Sequence, residues 1–464
     1  MVPATAPAPE PLNSEIHRVL GAGLCVGCGG CAVRAPDAIT MRRDNHGVMQ
    51  AVITDADRLR EIPGGICPFS GAAPDEDTLG AQVFGTETPA DPRLGRVRRN
   101  YAGFAAEGDF RDKGSSGGMA TWLATEALRQ GMIDAVVHVH PGSGEDLFEF
   151  AIARSAAEVR GGAKTRYYSV SFDTALREAL QTSEKIAFVG VPCFVKAVRS
   201  LAARDPAIAK KIALTLAIIC GHMKSTGFAQ SLAWQVGVEP DDIAAVDFRV
   251  KRPGHSAKLY GFSATSKASG ETHMKPMGQL AGRRWDGGYF RLKACDFCDD
   301  VVGETADVSC GDAWLPQYDS DPGGTNVVMV RDARVERLIE QARAEGRLAL
   351  DDLTNDTAAA SQSGGFRDRR DALAYRLWRA EKTGQWYPDK RVKPGVAHIG
   401  GMRRLMYRVR QIVRQRSFAS LRLSKALGTI APYRIEMTAW HKFQVLLGMA
   451  EQRISRIFPP KSKS

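Results

Sequence analysis

The chain has 464 residues, of which 44% are apolar and 25% are charged, a balance typical of a globular protein with two to four domains. No apolar run reaches the roughly 20 residues that span a bilayer, and the Pro- and Ala-rich start has no secretory pattern, so neither a membrane-spanning nor a secreted protein is expected. Nine cysteines and no export signal predict a cytoplasmic protein.

The net charge of +11 is unevenly distributed along the chain. Residues 401–464 carry fourteen basic and two acidic residues, a net of +12, so the rest of the chain is nearly neutral. A charge excess confined to one segment indicates a partner of that segment and says little about the fold.

Residues 14–75 are predicted to form a small iron–sulfur segment. Cys25, Cys28 and Cys31 have the C-x2-C-x2-C spacing, and Cys67 is followed by a proline, which is the bacterial ferredoxin arrangement for a [4Fe–4S] cluster. Glycines between the first three thiols permit the tight backbone wrap that such a cluster needs. Structural zinc is the alternative, because four cysteines, or three with the nearby His46, also bind zinc.

Pro, Gly and Asp residues scattered through 72–98 predict a linker, and an α/β body follows it. A helix is expected directly after the glycine-rich loop 113–118, with Ser115 or Ser116 as its N-cap and Gly131 at its end. Further helices and strands are expected to alternate, which predicts a largely parallel sheet. The expected strands are 135–139, 185–190, 212–219 and 325–330, and the expected helices are 172–182, 194–203 and 335–345.

The loop from Lys113 to Gly118 opens onto the start of a helix. Backbone N–H groups and the helix dipole make such a position suitable for a phosphate or another anion. The loop matches neither a dinucleotide-binding fingerprint nor a Walker A motif. It is therefore either a cofactor-binding loop or an ordinary turn.

Four further cysteines form a second candidate set. Cys295 and Cys298 are a lone C-x2-C pair, which fits a redox dithiol or half of a metal site. Cys193 and Cys220 each follow an apolar run that predicts a buried strand, so either could equally be a core residue. Cys310 belongs to neither set.

Five segments in this order resemble the coenzyme F420 hydrogenase/dehydrogenase beta-subunit family. They are KGSSGGMAT at 113–121, GAKTRYYSV at 162–170, VGVPCFVKAVR at 189–199, IICGHMKS at 218–225 and CDFCDDVVGETADVSCGDAW at 295–314. The resemblance covers roughly residues 15–350 and implies a body in two parts, 99–182 and 183–350, after the N-terminal ferredoxin-like segment. The chain departs from the family at Val191 and Phe194, where the usual segment is closer to GTPCQ. Cys310 falls where the family tolerates several residues, so the resemblance implies that it is packing.

The resemblance also implies cofactors and site residues. It implies FAD and a second [4Fe–4S] cluster, held by Cys193, Cys220, Cys295 and Cys298, in addition to the first. FAD is expected at residues of the first two segments, namely Lys113, Ser115, Ser116, Gly117, Gly118, Thr121 and Lys164. No catalytic residue is assigned, although His222, Lys251 and His255 are candidate proton donors near the motifs.

The implied function is that of an oxidoreductase that passes electrons from a ferredoxin-type donor through the clusters to FAD and on to an unidentified small-molecule or glycan-related substrate. Polysaccharide biosynthesis is one setting for it, and ferredoxin-dependent reduction of a chlorophyll-type substrate is another. Two alternatives remain, an electron-relay subunit without its own substrate and a zinc-stabilised scaffold.

Residues 401–464 are predicted to form a basic amphipathic helical tail. Apolar residues recur at helical spacing in two stripes, Met402, Leu405, Met406, Val409, Ile412 and Val413, then Met437, Trp440, Phe443, Leu447 and Ile454. Such helices bind anionic lipid, so the tail is expected to be an anchor to the inner face of the membrane or to a partner, and not part of the body. Packing of the same stripes on the body is the alternative. No nucleic acid partner is expected, because no known binding fold accompanies the charge.

Overall fold

The structure is a computed structural model that describes residues 10–457. The α-helices are α1 Leu12–Gly21, α2 Gly30–Arg34, α3 Ala56–Arg60, α4 Glu76–Phe84, α5 Phe110–Lys113, α6 Met119–Arg129, α7 Ala156–Gly161, α8 Asp173–Thr182, α9 Pro192–Arg204, α10 Pro206–Lys211, α11 Thr226–Val236, α12 Ala333–Ala344, α13 Asn355–Ala360, α14 Ser363–Arg369, α15 Asp371–Lys382, α16 Gly401–Ala426 and α17 Ala431–Ile457. The β-strands are β1 Ile39–Arg43, β2 Met49–Ile53, β3 Ala90–Asp91, β4 Gly95–Arg96, β5 Arg99–Ala105, β6 Ala135–Pro141, β7 Phe148–Ala153, β8 Ile186–Gly190, β9 Ile212–Ile218, β10 Ile243–Val250, β11 Gly261–Ser266, β12 Thr272–Pro276, β13 Val308–Asp312, β14 Asn326–Val330 and β15 Leu348–Leu353. Short 3-10 turns also occur, among them Lys293–Phe297.

An eight-stranded mixed sheet forms the centre of the body. Its strand order is β15-β5-β14-β13-β9-β8-β6-β7, and the four strands β13, β9, β8 and β6 are parallel. The pairs toward both edges are antiparallel. Parallel neighbours need a crossover, and α9 with α10 makes the one from β8 to β9. The predicted α/β class is confirmed, with parallel strand pairs at the centre of the sheet, and the predicted strands and helices are present with ends shifted by at most two residues.

The predicted serine cap of α6 is wrong. The N-cap residue is Gly118, whose φ is 80°, and the Met119 N–H donates to the side-chain oxygen of Asn326 at 3.1 Å. Ser115 Oγ accepts instead from the backbone N–H of Thr165, and Ser116 Oγ donates to the carbonyl oxygen of Thr325. The loop lies on the end of β14, so a neighbouring strand supplies the cap that a local serine was expected to supply. Gly131 follows the end of α6 with a φ of 65°, as predicted.

Residues 72–98 are not a linker. They contain α4 and the short β3–β4 hairpin, and Leu79 and Leu94 are fully buried. The Nζ atom of Lys196 on α9 lies 3.0 Å from the buried carboxylate of Glu76, which ties α4 to the body. The turn-forming residues predicted a linker, but burial of this segment against the body stabilises its helix and hairpin.

The tail forms an antiparallel hairpin of α16 and α17 that packs on the body. Met406, Val409 and Val413 of the first predicted stripe are buried in the main core. The Phe290 N–H donates to Ser417 Oγ at 2.9 Å, so the hairpin also bonds to the body. The expectation of a tail separate from the body is therefore wrong for this face. None of the helices within residues 10–457 is long and apolar enough to cross a membrane.

Candidate functional site

The first thiol set surrounds one cavity in the N-terminal unit, beside apolar side chains of α1 and of the β1–β2 hairpin. The cavity is lined by the four thiols of Cys25, Cys28, Cys31 and Cys67. At Gly27 the φ is 72°, and a Cβ would lie 2.4 Å from the carbonyl oxygen of Met49. Only glycine fits there, which agrees with the role that the sequence predicted for it.

A buried carboxylate holds the segment that carries the fourth thiol. Glu15 is fully buried and accepts hydrogen bonds from the backbone N–H groups of Gly65, Ile66 and Cys67, at 2.6, 3.2 and 2.7 Å. Burial raises the pKa of Glu15, and these bonds lower it in part. An acidic residue on the apolar face of α1 was the signal in the sequence, and the sequence analysis missed it.

The second thiol set comes from three segments that are far apart in the sequence. Cys193 lies in the first turn of α9, Cys220 follows β9, Cys295 lies in the 3-10 turn and Cys298 follows that turn. Burial raises the pKa of Cys193, and the thiols of the other three residues raise it further. The Cys220 N–H donates to the carbonyl oxygen of Val301 at 3.2 Å, and the Met223 N–H donates to Cys295 Sγ at 3.3 Å. The segments of Cys220, Cys295 and Cys298 are therefore adjacent.

The two thiol sets are neighbours. A Cβ at Gly30, next to Cys31, would lie 3.3 Å from the Cβ of Ala197, which is one turn after Cys193 on α9. The thiol of Cys28 also raises the pKa of Cys193. The Phe172 N–H donates to the carbonyl oxygen of Cys28 at 3.0 Å, and α2 packs against α8 and α9. At Gly29 the φ is 91° and a Cβ would lie 2.4 Å from Ser171 Oγ, so glycine lets the loop approach the body.

A buried arginine lies among the second thiols. Arg369, at the end of α14, is 1% exposed, and its Nη2 donates to the carbonyl oxygens of Cys220 and Gly221 at 2.9 and 2.7 Å. Its Nε and Nη1 have no hydrogen-bond partner among the described residues. Burial lowers the pKa of this guanidinium, but the thiols, beginning with Cys298, raise it above its usual value.

The segment around Arg369 was not predicted from the sequence. It carries no cysteine and lies beyond the family-like segments, so no motif pointed to it. Its neighbour Asp368 pairs with Arg291 at 2.8 Å and with Arg376 at 3.1 Å. Arg291 in turn donates to the carbonyl oxygen of Cys295, and Arg376 donates to that of Asp296, so charged side chains hold the segment that carries two of the second thiols.

The other candidate metal ligands lie elsewhere. Cys310 is buried on β13 in the apolar core of the sheet, where it was expected. His46 is exposed in the β1–β2 turn and packs on Phe418, with ring centroids 4.9 Å apart. Among residues 10–457, no group of three or more His, Cys, Asp or Glu side chains is placed to hold a single metal ion.

Aromatic side chains connect the second thiols with the glycine-rich loop. His222, close to Cys220 in the sequence, stacks on Trp285 with ring centroids 4.3 Å apart. The ring of Tyr167 lies 4.5 Å from the same indole. Two residues before Tyr167, the Thr165 N–H donates to Ser115 Oγ at 2.8 Å. These three contacts, joined by two short stretches of chain, link the segment of Cys220 to the loop.

Three basic side chains lie at this loop, and two of them form ion pairs, Arg111 with Asp321 and Lys164 with Asp247. Lys164 has a φ of 84°, and its Nζ lies 3.1 Å from the carboxylate of Asp247. Lys251 Nζ donates to the carbonyl oxygens of Arg111 and Ser116. Burial, together with Lys164 and Arg111, lowers the pKa of Lys251 to about 8. Lysine at this position thus serves first to hold the loop in place.

The glycines of the loop serve its packing on the protein itself. A Cβ at Gly117 would lie 2.6 Å from the carbonyl oxygen of Gly103, and one at Gly118 would lie 2.4 Å from that of Phe110. Of the remaining residues named for FAD, Lys113 is exposed and Thr121 is half-buried in the first turn of α6.

The candidate proton donors differ in their surroundings. His222 is buried, burial lowers its pKa, and its Nε2 has no partner among the described residues. Lys251 is occupied with the loop. His255 is exposed in a turn, where its ring bonds to the carbonyl oxygen of Pro253. At the departure from the family pattern, Phe194 is buried and packs on Phe172, with ring centroids 5.6 Å apart.

The chain is similar to components of archaeal redox complexes. It is 23% identical over 356 residues to a subunit of the F420H2 dehydrogenase of Methanosarcina mazei, and the match covers 73% of this chain and 87% of the relative. It is 22% identical over 259 residues to the beta subunit of the coenzyme F420 hydrogenase of Methanothermobacter thermautotrophicus, and the match covers 54% of this chain and 84% of the relative. A chain of the F420-reducing [NiFe] hydrogenase complex from Methanosarcina barkeri aligns over 67% of this chain and all of its own length, with 18% identity and a TM-score of 0.49.

Two family profiles match adjacent parts of the chain. Residues 100–177 match the N-terminal domain of the coenzyme F420 hydrogenase/dehydrogenase beta subunit, and residues 183–356 match its C-terminal domain. The matches cover more than half of the chain and contain the glycine-rich loop and all four cysteines of the second thiol set. The chain belongs to the coenzyme F420 hydrogenase/dehydrogenase beta-subunit family.

Proposed function

We propose that the chain is an iron–sulfur flavoprotein oxidoreductase that passes electrons from a ferredoxin-type donor through two [4Fe–4S] clusters to FAD and on to a small-molecule or glycan-related substrate. The observation that carries this proposal is the packing of α2, which contains Cys31, against α9, which contains Cys193, so that the two sets of four thiols are neighbours. Four cysteine thiols in an enclosed, largely apolar site are the donor set that [4Fe–4S] clusters use.

Each thiol set has its own task in this proposal. The first would hold a cluster in the N-terminal unit, with Glu15 fixing the segment of the fourth ligand. The second would hold a cluster in the body, with Arg369 balancing its negative charge. When bound, the clusters would supply one-electron transfer, and the flavin would collect single electrons and deliver two at a time.

The loop and its surroundings fit FAD by the chemistry of their side chains. Lys251 supplies positive charge for a diphosphate, with Lys164 and Arg111 beside it in ion pairs with Asp247 and Asp321. Tyr167 and Trp285 supply aromatic faces near the second thiols. Gly117 and Gly118 contribute by shaping the loop and not by leaving open space, since a side chain at either position would meet the protein's own backbone.

Iron, sulfide and flavin content of anaerobically purified protein test the proposal. Two clusters correspond to about eight irons and eight acid-labile sulfides per chain. Cys25→Ser should remove about half of the iron, and Cys298→Ser should remove the other half. Cys310→Ser is the matched control, because this buried thiol belongs to neither set, and it should retain all of the iron. Stoichiometric zinc without iron would support the scaffold alternative and contradict the proposal.

The electron donor is tested separately. No dinucleotide-binding fingerprint occurs in the chain, which favours a ferredoxin-type protein over NADH as the direct donor. Reduced ferredoxin should bleach the flavin within seconds under anaerobic conditions, whereas NADH or NADPH alone should not. Rapid flavin reduction by a nicotinamide nucleotide would overturn this part of the proposal.

A relay subunit without its own substrate is the second candidate, because the relatives named above are subunits of larger complexes. Turnover of a glycan-related substrate or a chlorophyll precursor, driven by reduced ferredoxin, would support the enzyme. Electron transfer to an artificial acceptor without turnover of either would support the relay. Nine free thiols favour a reducing compartment, so we place either activity in the cytoplasm.

A further inference from the structure

The outward surface of the tail hairpin is unusually apolar. Fourteen large apolar side chains are exposed among the described residues, and ten of them lie on residues 401–457. The most exposed are Ile435, Leu446 and Met449, at 72%, 62% and 62%. None of these three residues belongs to the predicted stripes, and much of those stripes is buried against the body.

The exposed residues form one continuous stripe on α17. Ile435, Ala439, Lys442, Leu446, Met449 and Arg453 follow the spacing i, i+4, i+7, i+11, i+14 and i+18, which puts them on one side of an α-helix. The buried residues Tyr433, Met437 and Leu447 lie on the opposite side, against the body and α16. The stripe is therefore a second apolar face of the same helix.

The charges around this stripe are all positive. Arg434, Lys442 and Arg453 are exposed and have no carboxylate partner among the described residues. The only two carboxylates of the hairpin are neutralised within it, Glu436 by Arg416 and Glu451 by Arg403. Within the described part of the hairpin, the surface thus combines apolar side chains with unpaired cations and has no free anion.

We propose that this face of α17, which we call the outer stripe, binds in the plane of an anionic lipid bilayer. An apolar stripe flanked by cations fits the boundary between lipid headgroups and acyl chains. A second copy of the chain would bring the same positive charge to the contact, and nucleic acid would leave the apolar side chains without a partner. The helix, about 40 Å long, lies along the surface and does not cross it.

Point substitutions on the outer stripe test this better than removal of the tail, because α16 and α17 also cover the core around Phe290. The probe is vesicles of phosphatidylcholine with and without one third phosphatidylserine, and the measurement is cosedimentation of the full-length protein. The wild-type chain should bind only the anionic vesicles. Leu446→Glu/Met449→Glu should abolish binding, and Lys442→Gln/Arg453→Gln should weaken it roughly 30-fold, about fivefold for each charge.

The matched control is Leu259→Glu/Met274→Glu, which makes the same two changes at side chains that are 55% and 49% exposed on the body. It should bind anionic vesicles as the wild type does. Iron content, measured in all variants, shows that they are folded. Equal binding by the wild type and the Leu446→Glu/Met449→Glu variant would overturn the proposal. The proposal would also be overturned if neither protein bound vesicles and the wild type formed a dimer that the double substitution dissociates.

Discussion

Arg369→Gln should lower the reduction potential of an iron–sulfur group at the second thiols. The guanidinium is fully buried, so solvent and salt screen its charge little. Two unit charges about 4 Å apart interact by about 4 kcal/mol at an effective dielectric constant of 20. The guanidinium makes no hydrogen bond to a thiol, so its charge lies farther from the second site than in such a contact. We therefore expect Arg369→Gln to remove half of this interaction energy, ~2 kcal/mol. For a one-electron couple this is roughly 85 mV.

The assay is an anaerobic redox titration followed by electron paramagnetic resonance, with iron content measured on each variant. Arg369→Lys keeps the charge and should shift the potential far less than Arg369→Gln. Arg367→Gln makes the same charge change two residues earlier on α14, at an exposed side chain, and should leave the potential unchanged.

Two results would refute this reasoning. An unchanged potential in Arg369→Gln, with iron content as in the wild type, would show that the buried charge does not act on the second site. An equal shift in Arg367→Gln would show that the potential follows the net charge of the protein and not this contact.

Two further substitutions test the first thiol set and the loop. Glu15→Ala leaves three buried backbone N–H groups without an acceptor, each at a cost of about 1–3 kcal/mol. The first site should therefore lose iron while the second site keeps it. Equal loss of iron from both sites would contradict the role of Glu15. Lys251 should lose its charge as the pH rises through about 8, so the amount of flavin retained after a pH jump and desalting should fall over this range. Lys251→Arg should abolish this pH dependence. The same pH dependence in Lys251→Arg as in the wild type would refute the role of Lys251.

The order of the central strands and helices could be read from the sequence because their residues carry local signals. Apolar β-branched runs and amphipathic helices follow one another from β6 to β14, and burial in a parallel sheet favours that pattern. The first thiol set is equally local, since three of its four cysteines lie within seven residues and Gly27 must wrap between them.

Tertiary structure alone decided the rest, because the interactions involved join residues far apart in the chain. The two thiol sets become neighbours only when the N-terminal unit packs on α9, and no spacing in the sequence encodes that contact. Arg369 faces the second thiols because α14 folds back over them. On α17 two apolar stripes share one helix, and only packing on the body determines which is buried and that Leu446 is exposed.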